Sequence, residues 1–245
     1  MQCPGQDSRY WQGEDVFETK CPKCGHSVEF FKDDSQQKCR QCGHRILNPK
    51  IDFGCASYCP HAEQCLGSLP PELIGKRDNM FKDKLAISMR KYFGTDSRRI
   101  KHAQQVAGFA EEIGKLEKGN MGVIMATAYL HDIGIKEAEK KYNSPAPKYQ
   151  HLEGPPVARQ LLTDLNADAG MIDEVCDIIS HHHTPRDEET ENFKILYDAD
   201  LIVNLDEKYQ ETAPSGEKLE TILNRSFLTP SGRRVAKKAL MKRVK

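Results

Sequence analysis

After residue 80 the apolar positions follow the 3.6-residue period of helices rather than the alternation of strands. Asp78 to Phe93 predicts a first helix, ended by Gly94. Asp96 or Ser97 caps a second, in which Ile100, Ala103, Val106, Ala107, Ala110 and Ile113 form one stripe. Gly122 to Leu130 is apolar around most of its circumference, the pattern of a central buried helix. The polar segment Lys136 to Gln150, with Pro145 and Pro147, reads as a loop or lid. Pro155 or Pro156 then opens a helix over Val157 to Leu165, because proline fits a first turn. Met171 to Ile179 and Phe193 to Leu205 add two more, and no strand is predicted after residue 80.

The region before residue 67 has a different grammar. Cys21-Pro-Lys-Cys24-Gly and Cys39-Arg-Gln-Cys42-Gly are two CxxCG knuckles separated by fourteen residues. Each knuckle aims two thiolates at one point, and its glycine permits the positive-φ return. Two knuckles make a closed S₄ site, which suits structural zinc. Between them, Ser27 to Phe31 reads as a strand and Lys32 to Ser35 as a turn, the layout of a zinc ribbon. Cys55, Cys59 and Cys65, with Cys3 returning from the amino terminus, give the thiols of a second site that takes zinc or an Fe–S cluster. His61 offers a replacement for one of these thiols, whereas Cys176 falls in a helical stripe and reads as core.

Composition narrows the picture. The 245 residues are 38% apolar and 29% charged, with zero formal net charge, so nothing favours a dedicated nucleic-acid binder overall. The longest nearly unbroken apolar stretch, Met121 to Leu130, is about half of what a bilayer requires. No secretory leader pattern opens the sequence, which predicts a cytoplasmic, reducing location where the thiols stay free for metal. Eight of nine Cys lie in the first 65 residues and six of nine His between 102 and 183. Two metal chemistries on two modules are expected, with domains at 1–66, 80–208 and, for a basic helical extension, 209–245, and a linker over 67–79.

In the helical part, His102, His131-Asp132, the run His181-His182-His183 and Asp200 all fall in or at the end of strongly apolar helices. An unpaired polar side chain there is costly, so their coincidence points to a shared ligand. Helical projection turns His182 toward the Met171–Ile179 stripe, leaves His183 second and faces His181 away.

The order His102, His131-Asp132, Asp200 resembles the HD superfamily of metal-dependent phosphohydrolases. The most specific pieces are Ala128-Tyr-Leu-His-Asp-Ile-Gly134 and Leu196-Tyr-Asp-Ala-Asp-Leu-Ile-Val-Asn204. The resemblance covers roughly residues 80 to 205, and the whole sequence also resembles bacterial HD-domain proteins. It implies a helical bundle with His102, His131, Asp132 and Asp200 as ligands, Asp200 being preferred to Asp198. Two-metal members add His from the middle helices, for which His151 and His182 stand ready, with Asp132 bridging. Those members place a His four residues before a Gly, whereas His151 is three before Gly154. Glu153 therefore takes that ligand place or acts as a base, with His151 near the mouth. Lys136 is offset by one from a lysine common in relatives and reads as solvated rather than as a phosphate contact.

The predicted fold is mainly α, an HD-type helical bundle preceded by a small zinc-ribbon-like β module. The expected activity is hydrolysis of a phosphomonoester or phosphodiester, on a nucleotide, through hydroxide activated by Mn, Fe, Co or Mg. Arg98, Arg99, Lys101 and Lys148 are candidates to hold its phosphates. Two alternatives stay open: a di-iron oxygenase of HD type, and a regulatory or nucleic-acid-binding zinc-ribbon protein with a vestigial HD site. The second draws on residues 225 to 245, which carry eight Lys/Arg and no acid.

Overall fold

In the computed structural model the described residues are 16–31, 34, 36–49 and 71–244. The chain divides into two compact units, Met1–Arg77 and Asp78–Lys245. Cys3, Cys55, Cys59, Cys65 and His61 lie outside the described residues.

The first unit contains two antiparallel hairpins. Strands β1 (Val16–Lys20) and β2 (Ser27–Phe31) pair with Phe17 opposite Phe30, and β3 (Gln36–Lys38) and β4 (Arg45–Leu47) pair with Gln37 opposite Ile46. Both hairpins turn through a CxxCG knuckle of the same construction. The first cysteine's amide takes the carbonyl of the residue five on, and the glycine amide returns to the first cysteine's carbonyl, at 2.8–2.9 Å in each. Gly25 and Gly43 have φ of +74° and +71°, the left-handed conformation that a tight return needs. Phe30, Val28 and Ile46 bury against the thiols and form the small core of this unit.

The second unit is all-helical among its described residues. Helix α1 (Pro71–Phe93), of which Asp78 onward belongs to this unit, begins at Pro71 rather than Asp78 and ends at Gly94, whose φ is +64°. Helix α2 (Ser97–Gly114) is capped by Asp96, which accepts from the Arg99 amide. Its predicted stripe faces the core, with Ala103, Val106, Ala107, Ala110 and Ile113 buried. Helix α3 (Met121–Leu130), capped by Asn120, is buried from Val123 to Leu130. Its lone polar side chain in that run, Thr127, satisfies its hydroxyl on the carbonyls of Val123 and Ile124. This helix packs on α2, on α6 (Ala169–Ile179) and on α7 (Glu191–Glu211), so it forms the axis of the bundle.

The segment expected as a loop or lid is instead mostly helical. Helix α4 (Ile135–Tyr142) buries Ile135 and Ala138, three residues apart on one face, and stops at Asn143 in the left-handed conformation. Helix α5 (Pro147–Asp164) starts with proline in its first turn and continues through Pro155 and Pro156. Those two prolines were expected to open the helix. They lie in its middle because the turn before them, with Gln150, Glu153 and Gly154 buried, is held by tertiary contact. The glycine contact responsible is that of Gly134 on α5. A β-carbon at Gly134 would lie 2.6 Å from the Gly154 amide nitrogen and closer still to the Gln150 carbonyl oxygen.

The carboxyl-terminal segment is part of the same core. Helices α8 (Gly216–Ser226) and α9 (Pro230–Leu240) contribute Leu219, Leu223, Val235, Ala236 and Leu240 to it. Asp198 of α7 is fully buried and ties this segment down. Its carboxylate accepts from the amides of Leu228 and Thr229 and from the Thr229 hydroxyl, each at 2.8 Å. Basic residues of the segment are engaged within the chain, Lys237 with Glu220 and Arg243 with Asp206. Among the described residues no helix is long and apolar enough to cross a membrane.

Candidate functional site

The HD doublet sits where α3 runs out. His131 is the C-cap of α3, and its amide still bonds the Thr127 carbonyl at 2.7 Å. Asp132 follows in the turn, half-buried, and Ile133 then anchors the turn in the core. His102 enters from α2 and Asp200 from α7, both helices that pack on α3. Packing of three helices thus delivers four side chains to one point.

The ligand atoms converge closely. His102 Nε2 lies 3.1 Å from Asp200 Oδ1 and 3.3 Å from His131 Nε2, and His131 Nε2 lies 3.5 Å from Asp200 Oδ1. Asp132 Oδ2 is 3.5 Å from His131 Nε2 and 3.9 Å from His102 Nε2. Donors held about 2.1 Å from one ion stand about 3.0–3.4 Å apart, so the set is already near the span of a bound cation.

A second trio adjoins it. One nitrogen from each of His151, His182 and His183 falls within 4.8 Å of the others. His151 Nε2 and His183 Nδ1 are 3.1 Å apart. Asp132 links the two groups, since its Oδ1 lies 3.9 Å from His182 Nε2 while its Oδ2 faces His131.

Tautomers are set from behind. The Nδ1–H of His131 donates to the Ala128 carbonyl at 3.0 Å, and that of His182 to the Ile179 carbonyl at 2.9 Å. Each ring therefore turns an Nε2 lone pair toward the site. The Nε2 of His182 is buried without a hydrogen-bond partner. A buried polar nitrogen left so is costly, and a metal ion would supply the missing partner. The residues present therefore fit a divalent cation.

Electrostatics agree with that fit. Burial pushes His182 well below the ordinary histidine value, helped by His131 and His183, so it stays a neutral ligand. Burial likewise lowers His151, followed by the neighbouring His183 and His181. Burial opposes charge on His102 too, yet the hydrogen bond and charge of Asp200 and the charge of Asp132 hold it up to about 9. Asp200, which burial would raise, is kept far below the usual carboxylate range by His102 and by the imidazoles of His131 and His182. In effect two carboxylates demand positive charge among the imidazoles, which a cation provides.

Other candidates fall elsewhere. His181 stacks on Phe193 and bonds Glu189 and the Asp177 carbonyl, away from both trios. Glu153 belongs to neither trio; its oxygens are taken by Lys141 and by the Tyr142 hydroxyl. Lys136 is exposed, as expected, and donates to the Tyr92 carbonyl at 2.7 Å. Arg99 is occupied by Asp96 and Glu139, whereas Arg98, Lys101 and Lys148 are exposed. Asp198 serves the fold, as described above, and Asp200 the site. Sequence reasoning assigned no role to Asn204 or Glu207, which lie four and seven residues beyond Asp200 on the same helix face.

In the first unit the four knuckle thiols also converge. Cys21 Sγ lies 3.6 Å from Cys42 Sγ, and Cys24 Sγ 3.6 Å from Cys39 Sγ. These spacings far exceed a disulfide bond of about 2.05 Å. They match the edge of about 3.8 Å for a tetrahedral Zn–S₄ site. The four residues form a closed, zinc-ribbon-like cluster.

Comparison with known proteins follows the same outline. The family model of the HD domain matches residues 99–205, a segment that contains His102, His131, Asp132, His151, His182 and Asp200. No curated protein matches the chain. A crystal structure described as a predicted HD superfamily hydrolase from an uncultured Thermotogales bacterium aligns with 65% of this chain and 85% of its own, at 23% identity and a TM-score of 0.48. Residues 99–205 thus match the HD domain, and a zinc-ribbon-like four-cysteine cluster precedes them in the sequence.

Proposed function

We propose that the protein is a metal-dependent phosphohydrolase acting on a phosphomonoester or phosphodiester, with a nucleotide as substrate. The observation that carries this reading is the convergence of His102, His131, Asp132 and Asp200, with the unpartnered Nε2 of His182 beside them. His102, His131 and Asp200 would hold a first divalent ion, His151, His182 and His183 a second, and Asp132 would contact both. Mixed imidazole and carboxylate donors suit Mn, Fe, Co or Mg better than the all-thiolate set does. Such ions lower the pKa of water and neutralise charge on phosphoryl oxygens.

The chain's own residues supply the rest. Carbonyls behind His131 and His182 prevent ring rotation, so the site is ordered before substrate arrives. Leu130, Ile133 and Ala199, neighbours in sequence of His131, Asp132 and Asp200, are fully buried, so these ligands emerge from a dry core. His183 and Lys148 are exposed, which places the open side toward α5 and the His run.

The test is a panel of nucleoside mono- and diphosphates and cyclic nucleotides, assayed after loading the protein in turn with Mn²⁺, Fe²⁺, Co²⁺ and Mg²⁺. Release of phosphate or opening of a cyclic ester with at least one metal is expected. Oxygen consumption by an iron-loaded protein, with no ester cleaved, would favour the di-iron oxygenase instead.

A further inference from the structure

His131 and His182 borrow a carbonyl three residues back in their own helix to fix Nδ1–H. His102 does not. It lies early in α2, and its Nδ1 faces Glu207 Oε1 of α7 at 3.4 Å, a partner 105 residues away. On the same face of α7, one turn nearer, the Asn204 amide donates to Asp200 Oδ2 at 2.9 Å. Positions 200, 204 and 207 are a helical stripe. One helix face thus supplies a ligand, the group that fixes that ligand's outer oxygen, and a carboxylate behind the histidine opposite.

We propose that Glu207 is a positioning residue of the helical metal centre: it accepts the Nδ1–H of His102 and so presents the Nε2 lone pair to the ion. This rests on the reading of the site as a metal centre, not on the choice of substrate. Backbone carbonyls, which are neutral, orient His131 and His182, whereas an anion orients His102 and raises its strength as a donor. His102 also faces Asp200 at 3.1 Å, the closest approach within its own trio. With Nδ1–H held by Glu207, the His102 Nε2 and the Asp200 oxygen turn lone pairs to one point, an edge that a shared cation would make attractive. With the proton on Nε2 instead, His102 would have no lone pair at the site. The Glu207 side chain is 38% exposed, so it is within reach of substitution without opening the core.

The experiment uses the full chain with its ribbon metal in place and titrates Mn²⁺ into the helical site, following free Mn²⁺ by electron paramagnetic resonance. Glu207→Ala is expected to weaken Mn²⁺ binding on the order of 10–100-fold, and Glu207→Gln, which keeps an acceptor oxygen, to recover part of that loss. Glu211→Ala, an exposed acid on the same helix, is expected to bind as the wild type does. A structural role alone would not move the second readout, the ¹H–¹⁵N spectrum of the histidine rings in fully zinc-loaded protein. There the His102 Nδ1–H should be slow to exchange in the wild type and lost to exchange in Glu207→Ala. Wild-type Mn²⁺ affinity in Glu207→Ala, or a His102 ring coordinated through Nδ1, overturns the proposal. Neither readout involves an ester, so failure of the hydrolase reading would show separately, as metal uptake without turnover.

Discussion

Gly134 and Gly154 meet backbone to backbone. A β-carbon on Gly134 would approach the Gly154 nitrogen to 2.6 Å, and one on Gly154 would approach Ile179 Cγ2 to 2.7 Å. The HD turn, the His151 turn of α5 and the end of α6 that leads to His182 are stacked through these two residues. Neither glycine has a positive φ; what matters is the missing side chain. Substituting Gly134 by Ala forces backbone apart and should cost at least the roughly 1–3 kcal/mol of ordinary overpacking. Gly108, in α2 with open space around its α-carbon, is the opposite case. Gly108→Ala should stabilise by about 0.5–1 kcal/mol. Thermal melting of the two variants should move in opposite directions, and a shared direction would contradict the packing account.

Asp198 and Asp200, two residues apart, divide structure from chemistry. Burial pushes Asp198 up to about 6, opposed by the Leu228 amide and by the amide and hydroxyl of Thr229, whose donors it satisfies. Asp198→Ala leaves those donors buried and unpaired, at about 1–3 kcal/mol each for the two least able to reach water. It should lower the melting temperature sharply and leave Mn²⁺ affinity close to wild type in protein that remains folded. Asp200→Ala should abolish Mn²⁺ uptake at the helical site with a smaller change in melting. Calorimetry and metal titration on the pair would check the division.

Arg243 beside Asp206 holds that carboxyl below its ordinary range. A depressed folded-state pKa contributes stability that is complete above the unfolded value of about 3.9. That contribution disappears as pH falls through the folded value. Partial exposure limits it to about 1 kcal/mol or less. Asp206→Asn should therefore lower the melting temperature slightly at neutral pH, and the difference from wild type should vanish at the acid end. A difference that grew on acidification would contradict the assigned sign.

The knuckle cluster predicts a separable metal. Cys24→Ser should abolish zinc binding at the cluster, because a four-thiolate site that loses one ligand loses most of its affinity. Helical circular dichroism should stay close to wild type, since the helical unit has a large apolar core of its own. Metal analysis beside far-ultraviolet spectra would check both statements.

Much of this was legible in the residues. The stripe of α2 and the all-round apolarity of α3 place His102 and His131 at fixed heights on buried helices, and the glycines of the knuckles announce positive φ. The middle of the chain was less so. Helix α4 buries only Ile135 and Ala138, too little pattern to distinguish it from a polar loop. Pro155 and Pro156 ordinarily mark a helix start, and only the Gly134 contact, a tertiary fact, explains why α5 runs through them. The partners of Glu153 and Glu207 were equally hidden. Lys141 and Tyr142 lie in the segment misread as a loop, and the His102–Glu207 contact joins helices far apart in sequence. Local patterns report burial well; they carry no address for a pairing across the bundle.

The most direct test of the central claim compares wild type with Asp132→Ala at saturating Mn²⁺, on the ester the wild type cleaves fastest. Asp132 lies against both trios of ligands, its Oδ2 near His131 and its Oδ1 near His182. The account predicts that Asp132→Ala loses at least about two orders of magnitude in rate, as expected when metal-centred charge stabilisation fails. Hydrolysis by Asp132→Ala at the wild-type rate would contradict it.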